Sequence, residues 1–79
     1  MTNNDILLKA FVTILEIEAS KIDDDLKYQS IAEWDSINHM FLINEIESVF
    51  NIEIDSEDIL YFKSFKETKV ALSKYNVTF

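Results

Sequence analysis

Ser36 and His39, a serine followed one helical turn later by the only histidine, are the first pair in this chain that could do chemistry together. Nucleophilic catalysis needs a base within hydrogen-bond reach of its nucleophile, and an i, i+3 spacing on a helix could supply it. The helical wheel argues against that use. His39 leans toward the apolar face formed by Leu42, Ile43 and Ile46, as a boundary or part-buried histidine does. No oxyanion-hole candidate or orienting acid stands in register, so a Ser36–His39 hydrolase is rejected. Metal binding fares no better, because the carboxylates around His39 lie mainly on other faces. Cysteine is absent, which removes thiol nucleophiles, thiolate metal sites and disulfides together. Glycine is absent too, which excludes Gly-rich phosphate loops. Asp23, Asp24 and Asp25 lack the alternating spacing and the glycine of a calcium loop and read as solvated.

Ser36 remains interesting without its histidine. It falls at the predicted N-cap of a helix, where unpaired backbone N–H groups and the helix dipole favour an anion. A phosphate ester on its oxygen would suit that position. The neighbouring side chains are unusual. Ile37, Met40 and Phe41 lie roughly 120–180° around the wheel from the core face, at about 100° per residue. Three large apolar groups are therefore expected to point outward beside the helix start. Either the preceding loop folds over them or they form a patch that docks a protein partner.

The elements that would hold this serine are helices. A chain of 79 residues accommodates one domain, and 48% hydrophobic residues suffice for its core. A domain so short buries only about 60–65% of its unfolded surface, so its stability is expected to be small. With neither glycine nor proline, hairpin turns and all-β architecture are disfavoured. The first helix is predicted from about Asn4 to Glu18, with Leu7, Leu8, Phe11, Ile14 and Leu15 on one face and a loose Thr2–Asp5 capping pair. A long polar loop from Ala19 to Asp35 follows, its Ile22, Leu26, Tyr28, Ile31 and Trp34 pinning it across the core. The second helix is predicted from Ser36 to Phe50, with Leu42, Ile43, Ile46, Val49 and Phe50 inward and Asn51 as a left-handed C-cap. A short acidic turn or helix begins at Ser56, where Glu57 and Asp58 favour a helix start. Ser64 and Glu67 then form the S-x-x-E capping box of a last helix reaching about Tyr75, with Phe65 and Leu72 inward. The expected fold is all-α, a single domain of three main helices plus a short one.

Seven lysines, no arginine and fifteen acidic residues give a formal charge of −8. Nucleic acid and anionic lipid are disfavoured as partners, and basic proteins are favoured. No basic residue falls between Lys27 and Lys63, where Glu33, Asp35, Glu45, Glu47, Glu53, Asp55, Glu57 and Asp58 cluster. That stretch is either a solvated face or a docking surface for basic partners. The apolar run from Ile6 to Ile17 is broken by Lys9, Thr13 and Glu16 and lacks a basic region before it, so it is not a signal peptide. No run approaches the roughly 20 apolar residues of a membrane span, and a cytoplasmic monomer is expected.

Trp34-Asp35-Ser36-Ile37-Asn38-His39-Met40 resembles the D-S-L attachment motif of the acyl carrier protein family, with Ile37 in the leucine position. Leu42, Ile43, Ile46, Glu47, Phe50 and then Glu53-Ile54 continue the family's second-helix pattern, and the resemblance covers nearly the whole chain. It implies a four-helix bundle whose Ser36 carries 4′-phosphopantetheine through a phosphodiester. It further implies a phosphopantetheinyl transferase, with its own magnesium, that moves the arm from coenzyme A. The arm's thiol would hold an acyl group as a thioester, supplying the sulfur that a cysteine-free chain lacks. The carrier itself catalyses nothing on this reading. Loading ligases and downstream acyl-transfer enzymes would dock on Asp35, Ile37, Met40 and Phe41, which match the family's docking positions. The chain departs from carriers of fatty-acid synthesis where Phe41 replaces a common acidic residue and where Asn44 and Ser48 dilute the helix's charge. Trp34 and the Asn38-His39 pair look more like discrete carriers of amino, hydroxy or small organic acids. The alternative function is an unmodified helical adaptor that binds a protein through Ile37, Met40 and Phe41.

Overall fold

Thr2 starts the first helix with a complete capping box. Its hydroxyl accepts from the Asp5 N–H at 3.1 Å, and the Asp5 carboxylate accepts from the Thr2 N–H at 3.2 Å. The computed structural model describes Met1–Phe79, and in it this helix, α1, spans Asn3–Leu15. It ends earlier than its apolar period suggests, because Glu16 turns left-handed at φ 55° and its N–H closes on the Val12 carbonyl. No glycine marks that stop in the sequence. Leu7, Ala10, Phe11 and Leu15 are buried, whereas Leu8 and Ile14 flank this seam half-buried.

α2 spans Ser36–Phe50 and ends, as predicted, at Asn51 in the left-handed conformation, φ 53°. The Glu47 carboxylate caps the following chain, accepting from the Ile54 N–H at 2.8 Å. Leu42, Ile43 and Ile46 are buried, and Phe50 is half-buried. Val49 is a correction: it is 39% exposed, because its position on the wheel falls at the edge of the seam rather than within it.

A 3₁₀ helix, Ser56–Tyr61, fills the place of the short acidic element, and α3 follows at Phe65–Leu72, extended by a 3₁₀ turn to Tyr75. Ser64 caps α3 by accepting from the Glu67 N–H at 2.9 Å, but the Glu67 carboxylate returns no bond, so only half of the expected box forms. Phe65, Thr68 and Leu72 face inward. The buried Thr68 hydroxyl is satisfied by the Ser64 carbonyl at 2.7 Å.

The long loop is stitched into the core. Ile22, Leu26 and Trp34 are buried within it, and Tyr28 and Ile31 are partly so. Its backbone meets the start of α3 in one antiparallel bridge, Lys27 to Ser64, with Tyr28 N–H donating to the Lys63 carbonyl and Phe65 N–H to the Leu26 carbonyl. Asp24, expected to be purely solvated, pairs with Lys69 at 2.9 Å. Phe11 lies edge-on to both Trp34 and Phe65, at 5.3 and 5.0 Å between ring centres. Such pairs add about 0.5–1.5 kcal/mol each to simple burial. The fold is a small all-α bundle of three α-helices and a short 3₁₀ helix, with two further three-residue 3₁₀ turns at Ala19–Lys21 and Ser73–Tyr75. Its radius of gyration of 11.2 Å agrees with the roughly 11.6 Å expected of a packed chain of this length.

Candidate functional site: an exposed serine at the start of the second helix

Asp35, not Ser36, is the N-cap of α2. Asp35 holds the extended backbone, φ −97° and ψ −178°, and its carboxylate accepts from the Asn38 N–H at 2.8 Å. Its carbonyl accepts the first intrahelical bond, from His39 N–H at 2.8 Å. Both residue types cap well, and Asp35 takes the role because its backbone is the extended one, whereas Ser36 is already helical. The Asn38 side chain fixes the approach by donating to the Glu33 carbonyl at 2.7 Å. Ser36 is thereby the first helical residue, exposed and free of the capping role. The N–H groups of Ser36 and Ile37 belong to the unpaired first turn and remain open to an anion held on the Ser36 oxygen. Asp35→Ala is expected to cost about 1 kcal/mol of stability, within the 0.5–2 range for lost caps, as read from denaturant midpoints.

Beside Ser36 the helix presents the apolar stripe expected of it. Ile37 is 67%, Met40 47% and Phe41 55% exposed, so the loop does not fold over them. Leu60 and Tyr61, on the 3₁₀ helix, are exposed as well. Sequence pattern did not single these two out, because a short element has too few residues to show a period.

His39 does not serve Ser36. Its ring is buried, 4.7 Å from the Tyr28 ring and 6.0 Å from Trp34. The Trp34 indole N–H donates to His39 Nδ1 at 2.9 Å, so the proton of the neutral ring sits on Nε2, which faces the Ile59 carbonyl at 3.4 Å. Both nitrogens are engaged in holding the loop and the 3₁₀ helix against α2. Burial pushes the imidazole below its ordinary value, and the contact with the Ile59 carbonyl opposes this only in part.

A second polar cluster fastens the last turn. Buried Asp58 accepts from Lys74 at 2.6 Å and from the Tyr75 hydroxyl, which itself accepts from the Asp55 N–H at 3.0 Å. The lysine first, then the tyrosine, hold the Asp58 carboxyl below its ordinary range. Asp58 therefore does more than favour a helix start. These two groups set an acid response. Unfolded His39 binds a proton as pH falls through 6.5 while the folded residue resists it, so stability is full above 6.5 and declines below. Asp58 adds stability that is full above 3.8 and is lost as pH falls through its depressed value. Denaturant midpoints across this range should fall in those two stages, and His39→Gln should erase the first. A first stage that persists in that variant would contradict the assignment.

No helix is long and apolar enough to cross a membrane, and no group of three or more histidines or acids converges as a metal site would require. Comparison with protein-family models and with curated proteins finds no match to the chain.

Proposed function

We propose that this chain is a free-standing acyl or aminoacyl carrier, modified by 4′-phosphopantetheine on Ser36. The observation that carries the reading is the division of labour at the start of α2. Asp35 takes the cap and leaves the adjacent serine exposed, beside two open N–H groups and three exposed apolar side chains. The residues fit the group: an exposed hydroxyl can be esterified without moving the core, and the helix end accommodates a phosphodiester. In the attachment, Ser36 Oγ would bond to the phosphorus next to the pantetheine of coenzyme A. The pyrophosphate P–O bond would break, 3′,5′-ADP would leave, and the hydroxyl proton would pass to the transferase or solvent. The arm, when present, supplies a thiol that holds an acyl group as a thioester.

Asp35, Ile37, Met40 and Phe41 would form the surface read by the transferase, the loading ligase and later acyl-transfer enzymes. The acidic surround would draw in basic partners, and the apolar stripe would supply the short-range contact. Phe41→Ser should therefore weaken binding to a transferase about thirtyfold, the roughly 2 kcal/mol lower bound for an interface anchor, while changing stability by no more than about 0.5 kcal/mol. The neighbouring Leu42→Ala should do the reverse, costing about 2–5 kcal/mol because Leu42 is buried. Titration calorimetry and denaturant melts on the two variants check this, and a Phe41 variant less stable than the Leu42 one would remove the docking surface. The carrier reading is tested by incubating the chain with coenzyme A and a broad-specificity transferase. A gain of one phosphopantetheine in intact mass supports it. No gain favours the unmodified adaptor.

A further inference from the structure

Ser36 is exposed, yet the residues on either side of it are tied down. Two side-chain bonds, each spanning five residues, strap the entry segment to the first turn of α2. On the buried side the Trp34 indole N–H donates to His39 at 2.9 Å. On the exposed side the Asn38 amide donates to the Glu33 carbonyl at 2.7 Å. The Trp34 carbonyl is held as well, accepting from the Gln29 N–H at 3.0 Å. Ser36 and Ile37, both exposed, lie between these two straps.

The buried strap belongs to the core, since Trp34 is its largest side chain. Stability gives the exposed strap no such reason. The cap bond to Asp35 uses the backbone N–H of Asn38, which any residue but proline would supply. Alanine at this position would favour the helix more, and aspartate would meet the helix dipole better. A hydrogen bond open to water adds only modestly to stability. What the Asn38 amide does set is direction, because its bond to Glu33 closes over the Asp35–Ser36 peptide that carries the hydroxyl.

Resting on the carrier reading, we propose that Asn38 is a positioning residue for Ser36. Its amide holds the Glu33–Ser36 segment so that the hydroxyl is presented in one direction. In the transfer step the bond from Ser36 Oγ to phosphorus forms as the pyrophosphate P–O bond of coenzyme A breaks. The electron pair leaves with 3′,5′-ADP, and the hydroxyl proton passes to the transferase or solvent. Such a displacement depends on how Oγ approaches phosphorus, and a misplacement of about 1 Å can cost roughly a hundredfold in rate. Asn38 acts on it only through Glu33 and the backbone.

The test measures transfer from coenzyme A by a broad-specificity transferase to the full wild-type chain, Asn38→Ala and Asn38→Asp. Intact mass reads the product, and both variants lose the amide donor. The kcat should fall about tenfold in each, with KM for the chain within about twofold of wild type. Denaturant midpoints should stay near wild type, because alanine gains helix propensity and aspartate gains the dipole interaction. Unchanged kcat in both variants overturns the positioning role. So does a loss confined to KM, which makes Asn38 a docking contact, or a loss in the aspartate variant alone, which is an effect of its charge. A fall in kcat that tracks a fall in the denaturant midpoint overturns it too. Each of these leaves the carrier reading standing, whereas a wild-type chain that gains no mass overturns both.

Discussion

Trp34→Ala is expected to bring the domain close to unfolding. Trp34 is fully buried although it lies in a loop, and it is the largest side chain of the core. It stands edge-on to Phe11 at 5.3 Å and to Tyr28 at 6.1 Å, and it supplies the hydrogen bond to buried His39. Removing a buried tryptophan costs about 3–5 kcal/mol. At about 0.05–0.15 kcal/mol per residue, a domain of this length has only roughly 4–12 kcal/mol in total. Trp34→Phe separates packing from hydrogen bonding, since it keeps an aromatic ring but leaves His39 Nδ1 without its donor, at a cost of about 1–3 kcal/mol. Far-UV circular dichroism in denaturant measures both variants; fluorescence cannot, because Trp34 is the only tryptophan. A loss below about 1 kcal/mol for the alanine variant would mean that the loop does not carry the core.

Ser36→Ala should abolish attachment completely and leave the fold almost untouched. Its oxygen is the only atom that the carrier reading offers to the transferase, so the expected loss is the whole mass gain. Its structural cost should be within about 0.5 kcal/mol, because the capping bond belongs to Asp35. Asp35→Ala has the opposite profile in stability, losing the cap while keeping the hydroxyl. A mass gain that persists in the Ser36 variant would exclude this serine. A Ser36 variant destabilised as much as the Asp35 variant would mean that the two residues share the cap.

Periodicity makes the helices readable from the sequence. Leu7, Phe11 and Leu15 repeat at the spacing of one face, and Leu42, Ile43 and Ile46 do the same in α2. Asn51 could be read as a stop because asparagine tolerates the left-handed conformation better than most residues. Glu16 could not, since nothing about a glutamate announces φ 55°. The cap of α2 falls one residue before the predicted Ser36 for a similar reason. Aspartate followed by serine offers two good caps, and only the backbone angles of Asp35 decide between them. The outward stripe of Ile37, Met40 and Phe41 was legible from the wheel alone and is exposed as expected.

Pairings across the bundle were not legible at all. The Trp34–His39 bond depends on how the loop crosses α2, and the Asp58–Lys74–Tyr75 cluster depends on how the last turn meets the 3₁₀ helix. No local pattern encodes such meetings, because the residues share no element and no period.

Peptide-level mass spectrometry of the chain recovered from the cells that make it tests the central claim most directly. Fragmentation would locate any modification to a single residue. The carrier reading predicts phosphopantetheine, free or acylated, on the peptide that contains Ser36 and on no other. A chain recovered wholly unmodified, or one carrying the group on Ser20, Ser30 or Ser56, would contradict it.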